Sequence, residues 1–194
     1  MFSRYKGITV IGILAVLALT ANQAKAYEVT DKLSIGSMLA GTYQYQALGD
    51  SKSDFDDAGR GAVPLQVEIS YNPIEHSEFF IKLGFSAGNG LNTEYSPFYL
   101  APWAATLEDD LKDINGRNRD YLLTAWYKHT FNLLNRHQLN LTGGIIDATD
   151  YLDENAYSND EYTQFMNEAL VNGPQGFLPS YDIGGAVEWQ YQQF

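Results

Sequence analysis

The chain has 194 residues, which is enough for one folded domain. Its 12 basic and 24 acidic residues give a formal net charge of −12, which argues against a surface that binds nucleic-acid phosphates. The absence of cysteine excludes a disulfide framework, a thiolate metal site and a cysteine nucleophile. With 14% aromatic and only 19% charged residues, the composition excludes a disordered chain and disfavours a long helical bundle.

The first 26 residues have the features of a secretory signal peptide. Arg4 and Lys6 form a basic start, the run from Ile8 to Leu19 is almost wholly apolar, and Ala24-Lys25-Ala26 has the small-x-small spacing of a cleavage site. An uncleaved anchor is the alternative, but crossing a membrane as a helix requires about 20 apolar residues. We therefore predict a signal peptide followed by an exported mature chain at 27–194.

Apolar and polar residues alternate along most of the mature chain. This period of two is typical of β-strands with one apolar and one polar face. The clearest case runs from Val63 to Tyr71, and in another strand the pattern puts Leu123 on the apolar face. In total the alternation predicts six strands, at 33–46, 63–71, 79–86, 121–131, 138–145 and 181–194.

The connections between these strands are of two kinds. Short turns are predicted at 73–77 and 132–136, whereas the loops at 87–119 and 147–179 exceed ordinary loop lengths. We predict a short helix near 107–111 in the first long loop. In the second, Ser158-Asn159-Asp160-Glu161 has the capping-box spacing and predicts a helix that continues to about Val171. Function is expected to reside in these long loops.

The predicted strands are long. Soluble sheets typically use strands of about five or six residues, whereas tilted membrane strands need about 9 to 11. Aromatic residues stand at the ends of the apolar faces, where a barrel has its girdles: Tyr71, Tyr121, Tyr181, Trp189 and Tyr191. The pattern thus favours an all-β fold, an antiparallel transmembrane β-barrel of the outer-membrane porin type. A secreted β-sandwich with aromatic residues in its core is the alternative.

Motifs for catalysis or metal binding are weak. Ser86 lies in a Gly84-to-Gly88 spacing that resembles a nucleophile elbow, but turn-forming Asn89-Gly90 follows instead of a helix. The three histidines have no partners at metal-ligand spacing. The acidic residues of the second long loop lack the EF-hand spacing and indicate a solvated acidic loop: Asp147, Asp150, Asp153 and Glu154. We predict no enzyme activity, no cofactor and no metal.

The stretch from Gly144 to Asn167, GIIDATDYLDENAYSNDEYTQFMN, resembles the carbohydrate-selective porins of the OprB family. Similar segments are Pro179 to Trp189 and Asn118-Arg119-Asp120 leading into Trp126-Tyr127. The resemblance implies a many-stranded barrel in the bacterial outer membrane that lets sugars, above all glucose, diffuse through a channel narrowed by inward-folded loops. The implied partners are small sugars and outer-membrane lipids, with a homo-oligomer possible for the complete porin and no role for nucleic acid.

The chain is short for that family. A water-filled lumen needs about 16 to 18 strands, and six strands cannot enclose one. Phe194 resembles the aromatic end of a closing strand, but Gln190 and Gln192, which precede it on the same face, are polar. We therefore expect the chain to be the N-terminal portion of a sugar porin. A secreted carbohydrate-binding β-sandwich and a small barrel with hydrolase activity are the competing classes.

Charged and aromatic side chains on the polar face are the candidates for contact with the solute, because they can orient sugar hydroxyls or stack on sugar rings. Two arginines at the end of the first long loop join them. The predicted pore-lining residues are Glu68, Lys82, Arg117, Arg119, Trp126, Lys128 and Glu188.

Overall fold

A computed structural model describes residues 19–47, 57–93, 108–117, 119–133, 136–153, 155–160, 162, 164, 165, 170, 171 and 181–191. These residues form one antiparallel sheet in which seven strands follow each other in chain order. The strands are β1 Leu19–Thr30, β2 Leu33–Gln46, β3 Ala58–Tyr71, β4 Ser77–Ala87, β5 Leu122–Leu133, β6 His137–Ile146 and β7 Asp182–Tyr191. The structure therefore confirms the all-β antiparallel class.

The six predicted strands correspond to β2 through β7, but the count of six is wrong because β1 precedes them. β1 pairs with β2 and runs across the predicted cleavage site after Ala26. Its residues carry weak alternation, which is why the sequence assigned most of them to the signal peptide. Residues 1–18 lie outside the described part of the chain, so the signal peptide remains a prediction. Gln192 and Phe194 also lie outside it.

Helical structure in the described residues is short. Helix α1, Glu108–Lys112, confirms the helix predicted in the first long loop, and a 3₁₀ helix at Ile114–Gly116 follows it. Helix α2, Thr149–Leu152, was not predicted. The helix predicted to begin at Ser158 is wrong over the described residues, which form turns there. Asn155, rather than Ser158, provides the local cap, since its Oδ1 accepts bonds from the backbone N–H groups of Tyr157 and Ser158.

The small apolar core lies at the loop end of the sheet, where α1 packs on β4 and β5. Leu111, Ile114, Leu123 and Tyr181 form this cluster, and all are buried. A Cβ at Gly84 would come within 2.9 Å of both Leu111 Cδ2 and Leu123 Cδ1, so a side chain at this position would force the packed leucines to shift.

Two side chains lie at positions that differ from those predicted from the sequence. A register shift between β4 and β5 follows the Lys82–Thr124 pair, and it turns Leu123 to the inner side instead of the apolar face. Tyr181 is 7% exposed within the core cluster, so its predicted place in an exposed aromatic row is wrong.

Candidate functional site

The two faces of the sheet have opposite chemistry, which divides the molecule into an outer apolar face and an inner polar face. Large apolar side chains on the outer face are exposed along every strand from β2 to β7. On β7, Ile183 is 84% exposed, Val187 73% and Trp189 72%. A water-soluble protein rarely exposes so large a continuous apolar surface.

Aromatic rings form a row across the outer face beside the short turns. Tyr71 stacks on Phe79, whose centroid lies 4.8 Å from that of Tyr127. The row continues through His129 and Phe131. Farther along the same edge, His137 lies 5.4 Å from Trp189 and 4.9 Å from Tyr191.

A second set of aromatic rings stands at the opposite, loop-bearing end of the outer face. Phe85 stacks on Tyr121 with centroids 5.4 Å apart, and Tyr43 and Tyr45 are exposed on β2. The predicted aromatic ends at Tyr71, Tyr121, Trp189 and Tyr191 are all among the exposed side chains.

The inner face instead buries polar side chains. They come from four strands and are Gln44, Gln46, Gln66, Thr124, Asn140 and Thr142. In a water-soluble sheet with one covered face, the covered face is normally the apolar one. Here the covered face is the polar one.

An open groove with a volume of about 680 Å³ lies on this inner face. Its walls come from the inner sides of β1 to β4 and from the second long loop, which folds back over the sheet. The residues that line it are Ala26, Gly36, Ser37, Met38, Gln66, Glu68, Lys82, Asp147, Thr149, Asp150, Asn159, Asp160, Tyr162 and Tyr181. Most of these residues have side chains that donate or accept hydrogen bonds.

Two predicted pore-lining residues form the floor of the groove. Glu68 on β3 and Lys82 on β4 are directly opposite in the antiparallel register, and their Oε1 and Nζ atoms are 3.2 Å apart. The loop is attached beside them, where Gln66 Nε2 donates a hydrogen bond of 3.1 Å to the hydroxyl oxygen of Tyr162. Both partners of that bond are buried.

The loop begins its return with a turn that the Asp147 side chain stabilises. The Oδ1 atom of Asp147 accepts hydrogen bonds from the Thr149 backbone N–H at 3.0 Å and from the Thr149 hydroxyl at 2.7 Å. These bonds form an Asx turn just before α2. Asp147 is buried there, so the prediction of a solvated acidic loop is wrong at this residue. Its neighbour Asp150 then faces the groove.

Asp150 is exposed to water inside the groove, but the nearby groove walls partly desolvate its carboxyl group. This desolvation raises the pKa of its carboxyl group, and the ammonium of Lys82 opposes the rise. The negative charges of Asp147 and Glu68 add to it. The pKa of the Tyr151 phenol is raised as well, first by burial and then by the charges of Asp150 and Glu188.

Trp126 and Lys128 lie together on the inner face, away from the groove floor. The indole of Trp126 stacks on Phe80, with centroids 4.9 Å apart and planes inclined by 20°. Lys128 Nζ is 5.1 Å from the centre of the Trp126 ring and 3.0 Å from Glu78 Oε2. Glu188 lies two strands away, opposite Asn140.

Arg117 and Arg119 hold the end of the first long loop against the start of β7. The guanidinium of Arg117 is 2.7 Å from Asp182 Oδ2, and that of Arg119 donates to the carbonyl of Tyr181. Neither arginine lines the groove. The structure therefore brings Glu68 and Lys82 together, forms a second group from Trp126 and Lys128, and puts both arginines in a third location.

Sequence reasoning did not single out Gln66, Thr149 or Tyr162 as groove residues. Polar alternation gave Gln66 its inner position but no partner, and no periodic signal marks the inward fold of the loop. Within the described residues, no group of three or more His, Asp or Glu side chains is arranged to hold a metal ion. No helix in that part of the chain is long and apolar enough to cross a membrane.

The fold and the groove thus define an all-β antiparallel sheet with an apolar outer face and a loop-covered polar face. The chain is 37% identical over 128 residues to an uncharacterized protein of Aquifex aeolicus (strain VF5). The match covers 64% of this chain but only 40% of the Aquifex protein, so the chain spans less than half the length of this relative. No family model and no solved structure matches the chain.

Proposed function

We propose that this chain forms part of the wall of an outer-membrane porin that permits passive diffusion of carbohydrates such as glucose. The observation that carries the proposal is the exposed apolar outer face opposite a covered polar face. In a transmembrane barrel the outer face meets lipid and is apolar, whereas the inner face meets water and is polar. The distribution of apolar and polar side chains on this sheet fits that arrangement.

The distance between the two aromatic ends of the outer face also supports a membrane environment. Tyr43 pairs opposite Gly61, and β3 continues from there to Tyr71 at the other aromatic end. Those ten steps cover about 34 Å along the strand at ~3.4 Å per residue, or about 26 Å across a membrane at a tilt of ~40°. The apolar band of outer-membrane barrels is about 25 Å tall.

The solute class follows from the chemistry of the inner face. The groove offers carboxylates, amides, hydroxyls and one ammonium, all of which form hydrogen bonds with sugar hydroxyls. A loop folded onto the inner wall narrows a channel in the manner that selective porins require. The resemblance of residues 144–167 to carbohydrate-selective porins agrees with this solute class.

The competing secreted β-sandwich would need a second sheet to cover the apolar face. Over the described residues there is a single sheet, and its helices lie against the inner side or at the loop end. The sandwich is therefore the weaker candidate.

The absence of native cysteine makes a labelling test direct. Single cysteines are introduced at Val67 and Val187 on the outer face and at Glu68 and Glu188 on the inner face. The chain is joined to the C-terminal part of its Aquifex relative, freed of any cysteine, and expressed in a bacterial outer membrane. We expect a charged, water-soluble maleimide to label only the inner pair and a lipophilic maleimide to label the outer pair. Equal labelling of both pairs by the charged reagent would contradict a membrane-embedded wall.

Carbohydrate passage is tested separately, by swelling of liposomes that contain the chain joined to the C-terminal part of its Aquifex relative. We expect swelling in glucose that exceeds swelling in a larger oligosaccharide. A membrane wall without sugar flux would keep the topology and refute the transport function.

A further inference from the structure

The inner face contains an aromatic patch on a wall whose other side chains are mostly polar or small. Among the inward positions of the described strands, the aromatic side chains are Phe80 and Trp126, and the two are opposite each other in the β4–β5 register. Both are partly exposed, so neither belongs to the buried core. The aromatic residues of the outer face have an explanation in the proposed lipid contact, whereas these two do not.

The wall beside Trp126 continues with two glycines. The next positions in the same row are Gly144 on β6 and Gly184 on β7. A Cβ at Gly144, whose φ is 144°, would lie 2.3 Å from the Ala125 carbonyl oxygen and 2.7 Å from Trp126 Cα. The row therefore consists of two stacked rings followed by two glycines, and the Ile146 side chain lies against the second of them, Gly184.

Charged hydrogen-bonding groups border the patch on the side toward the short turns. Lys128 and Glu78 are paired in register across β4 and β5, and Lys128 Nζ lies over the Trp126 ring. Ser70 donates a hydrogen bond of 2.8 Å to Glu78 Oε1, which fixes that carboxylate. On the opposite side, the Glu68–Lys82 pair separates the patch from the groove.

We propose that Phe80 and Trp126, with Lys128 and Glu78, form a subsite for one pyranose ring on the inner wall. This inference rests on the proposed function and identifies where the wall contacts the sugar. The axial hydrogens of a glucopyranose make one face of the ring apolar, and that face matches a flat indole. Its equatorial hydroxyls point outward toward the ring edge, where Lys128 donates hydrogen bonds and Glu78 accepts them.

The ligand is a neutral sugar rather than an aromatic base or an anion. An anionic ligand would face Glu78, Glu68 and Glu188 on the same wall, against Lys128 and Lys82. An open-chain polyol has the same hydroxyls as glucose but no rigid apolar face. The subsite should therefore distinguish glucose from the open-chain polyol, because only glucose has a rigid ring with an apolar face.

The test uses the fluorescence of Trp126. The chain has three tryptophans, and the W103F/W189F variant leaves Trp126 as the only indole. This protein is refolded in detergent micelles and titrated with methyl glucopyranoside, and sorbitol serves as the reference polyol. We expect a saturable change in Trp126 emission with the glucoside and none with sorbitol.

Two further variants identify the patch as the binding surface. Phe80→Leu should weaken the apparent affinity about two- to tenfold, the range expected for a lost aromatic contact. Phe79→Leu, its exposed neighbour on the outer face, should leave the affinity unchanged. Lys128→Gln should also weaken binding, and a circular dichroism spectrum equal to that of the parent confirms that each variant has refolded.

The result that overturns the subsite is an emission unchanged by the glucoside, an equal response to sorbitol, or equal affinities for the Phe80 and Phe79 variants. Binding in micelles does not require a closed channel. If the titration shows no binding but the cysteine labelling gives the expected pattern, only the subsite is rejected. If the labelling pattern itself is not observed, the membrane wall is rejected.

Discussion

At the scale of single residues, Asp150 couples the loop to the charges of the groove. Its carboxyl group lies among groove walls that raise its pKa by desolvation, against the opposing charge of Lys82. The folded protein therefore holds the Asp150 proton more tightly than the unfolded chain does. Ionising this group consequently reduces the stability of the fold.

The sign of the pH effect follows from proton binding. Below the pKa of the unfolded state, Asp150 is protonated in both states and contributes no difference. As the pH rises from that pKa through the higher pKa of the folded state, the folded protein binds more protons, so its stability falls.

Asp150→Asn removes this charge and should be more stable than the parent at neutral pH, with a difference that shrinks as the pH is lowered. Urea unfolding followed at several pH values measures it. Asp31→Asn, in the exposed turn between β1 and β2, is the control for the removal of a carboxylate outside the groove. A stability difference for Asp150→Asn that is independent of pH would contradict the assigned environment.

A second residue-scale prediction concerns the two faces of β3. Val67 lies on the outer face and pairs with Leu83, midway between the aromatic ends, whereas Ser70 lies on the inner face beside Glu78. In a membrane, Val67→Lys should lower the free energy of unfolding by about 2 to 4 kcal/mol, because its ammonium replaces an apolar group in contact with lipid. Ser70→Lys should have little effect, since it adds a cation next to a carboxylate.

Reversible urea unfolding in lipid vesicles, with the chain joined to the C-terminal part of its Aquifex relative, gives both values. Gln66 is unsuitable as the inner-face control because it holds Tyr162. Similar losses for the Val67 and Ser70 variants would argue that the two faces meet the same solvent.

At the scale of elements, the first long loop forms a bridge across the loop-bearing end of the sheet. Helix α1 is fixed to the end of β4, where Glu108 accepts a hydrogen bond from the Gly88 backbone and Asn89 bonds reciprocally with Asp109. The loop then reaches β7 through Arg117 and Arg119. It thus joins strands that are not neighbours in the sheet.

The two arginines should contribute unequally to this bridge. Arg117 and Asp182 are both accessible to solvent, and exposed ion pairs contribute little. Arg119 is half-buried and satisfies the Tyr181 carbonyl, a bond that we expect to be worth about 1 to 2 kcal/mol. In urea unfolding, Arg119→Ala should therefore be clearly less stable than Arg117→Ala, and the reverse order would refute the bridge.

The period of two was sufficient to predict β2 through β7, because residues on one face of a strand share one solvent. It failed at Leu123, where a register shift moves a residue to the other face without any change in the local pattern. It also failed at Tyr181, which packs under α1 through contacts distant in sequence. β1 was missed for a different reason, because its alternation is weak and most of its residues coincide with the end of the predicted signal peptide.

The site was partly predictable for similar reasons. Glu68, Lys82, Trp126 and Lys128 occupy inner positions because alternation fixes the face of a strand residue. The return of the second loop depends on single long-range contacts such as Gln66 with Tyr162. A sequence read locally contains no signal for such a bond, so the groove itself could not be predicted.

At the scale of the whole molecule, the described sheet has two open edges. β1 is paired only with β2, and β7 only with β6, so each presents a row of backbone groups with no strand beside it among the described residues. In hydrocarbon each unsatisfied N–H or C=O group costs several kcal/mol, so an open sheet is not stable there. A sheet of seven strands is also too narrow to close around a water-filled lumen, for which about 16 strands are needed.

We therefore predict that the 194-residue chain alone forms no discrete channel, while the chain joined to the C-terminal part of its longer Aquifex relative does. Additional strands would pair with the free edges of β1 and β7, enclose the polar face and leave only the apolar face in contact with lipid. Planar-bilayer recordings of both proteins, purified and refolded in the same way, measure the difference. We expect stable unit conductances that glucose blocks only for the longer protein, and irregular currents or aggregation for the shorter one. If the 194 residues alone give uniform, sugar-permeable pores, the open edges must close on each other or between copies, and this sheet is a sufficient channel by itself.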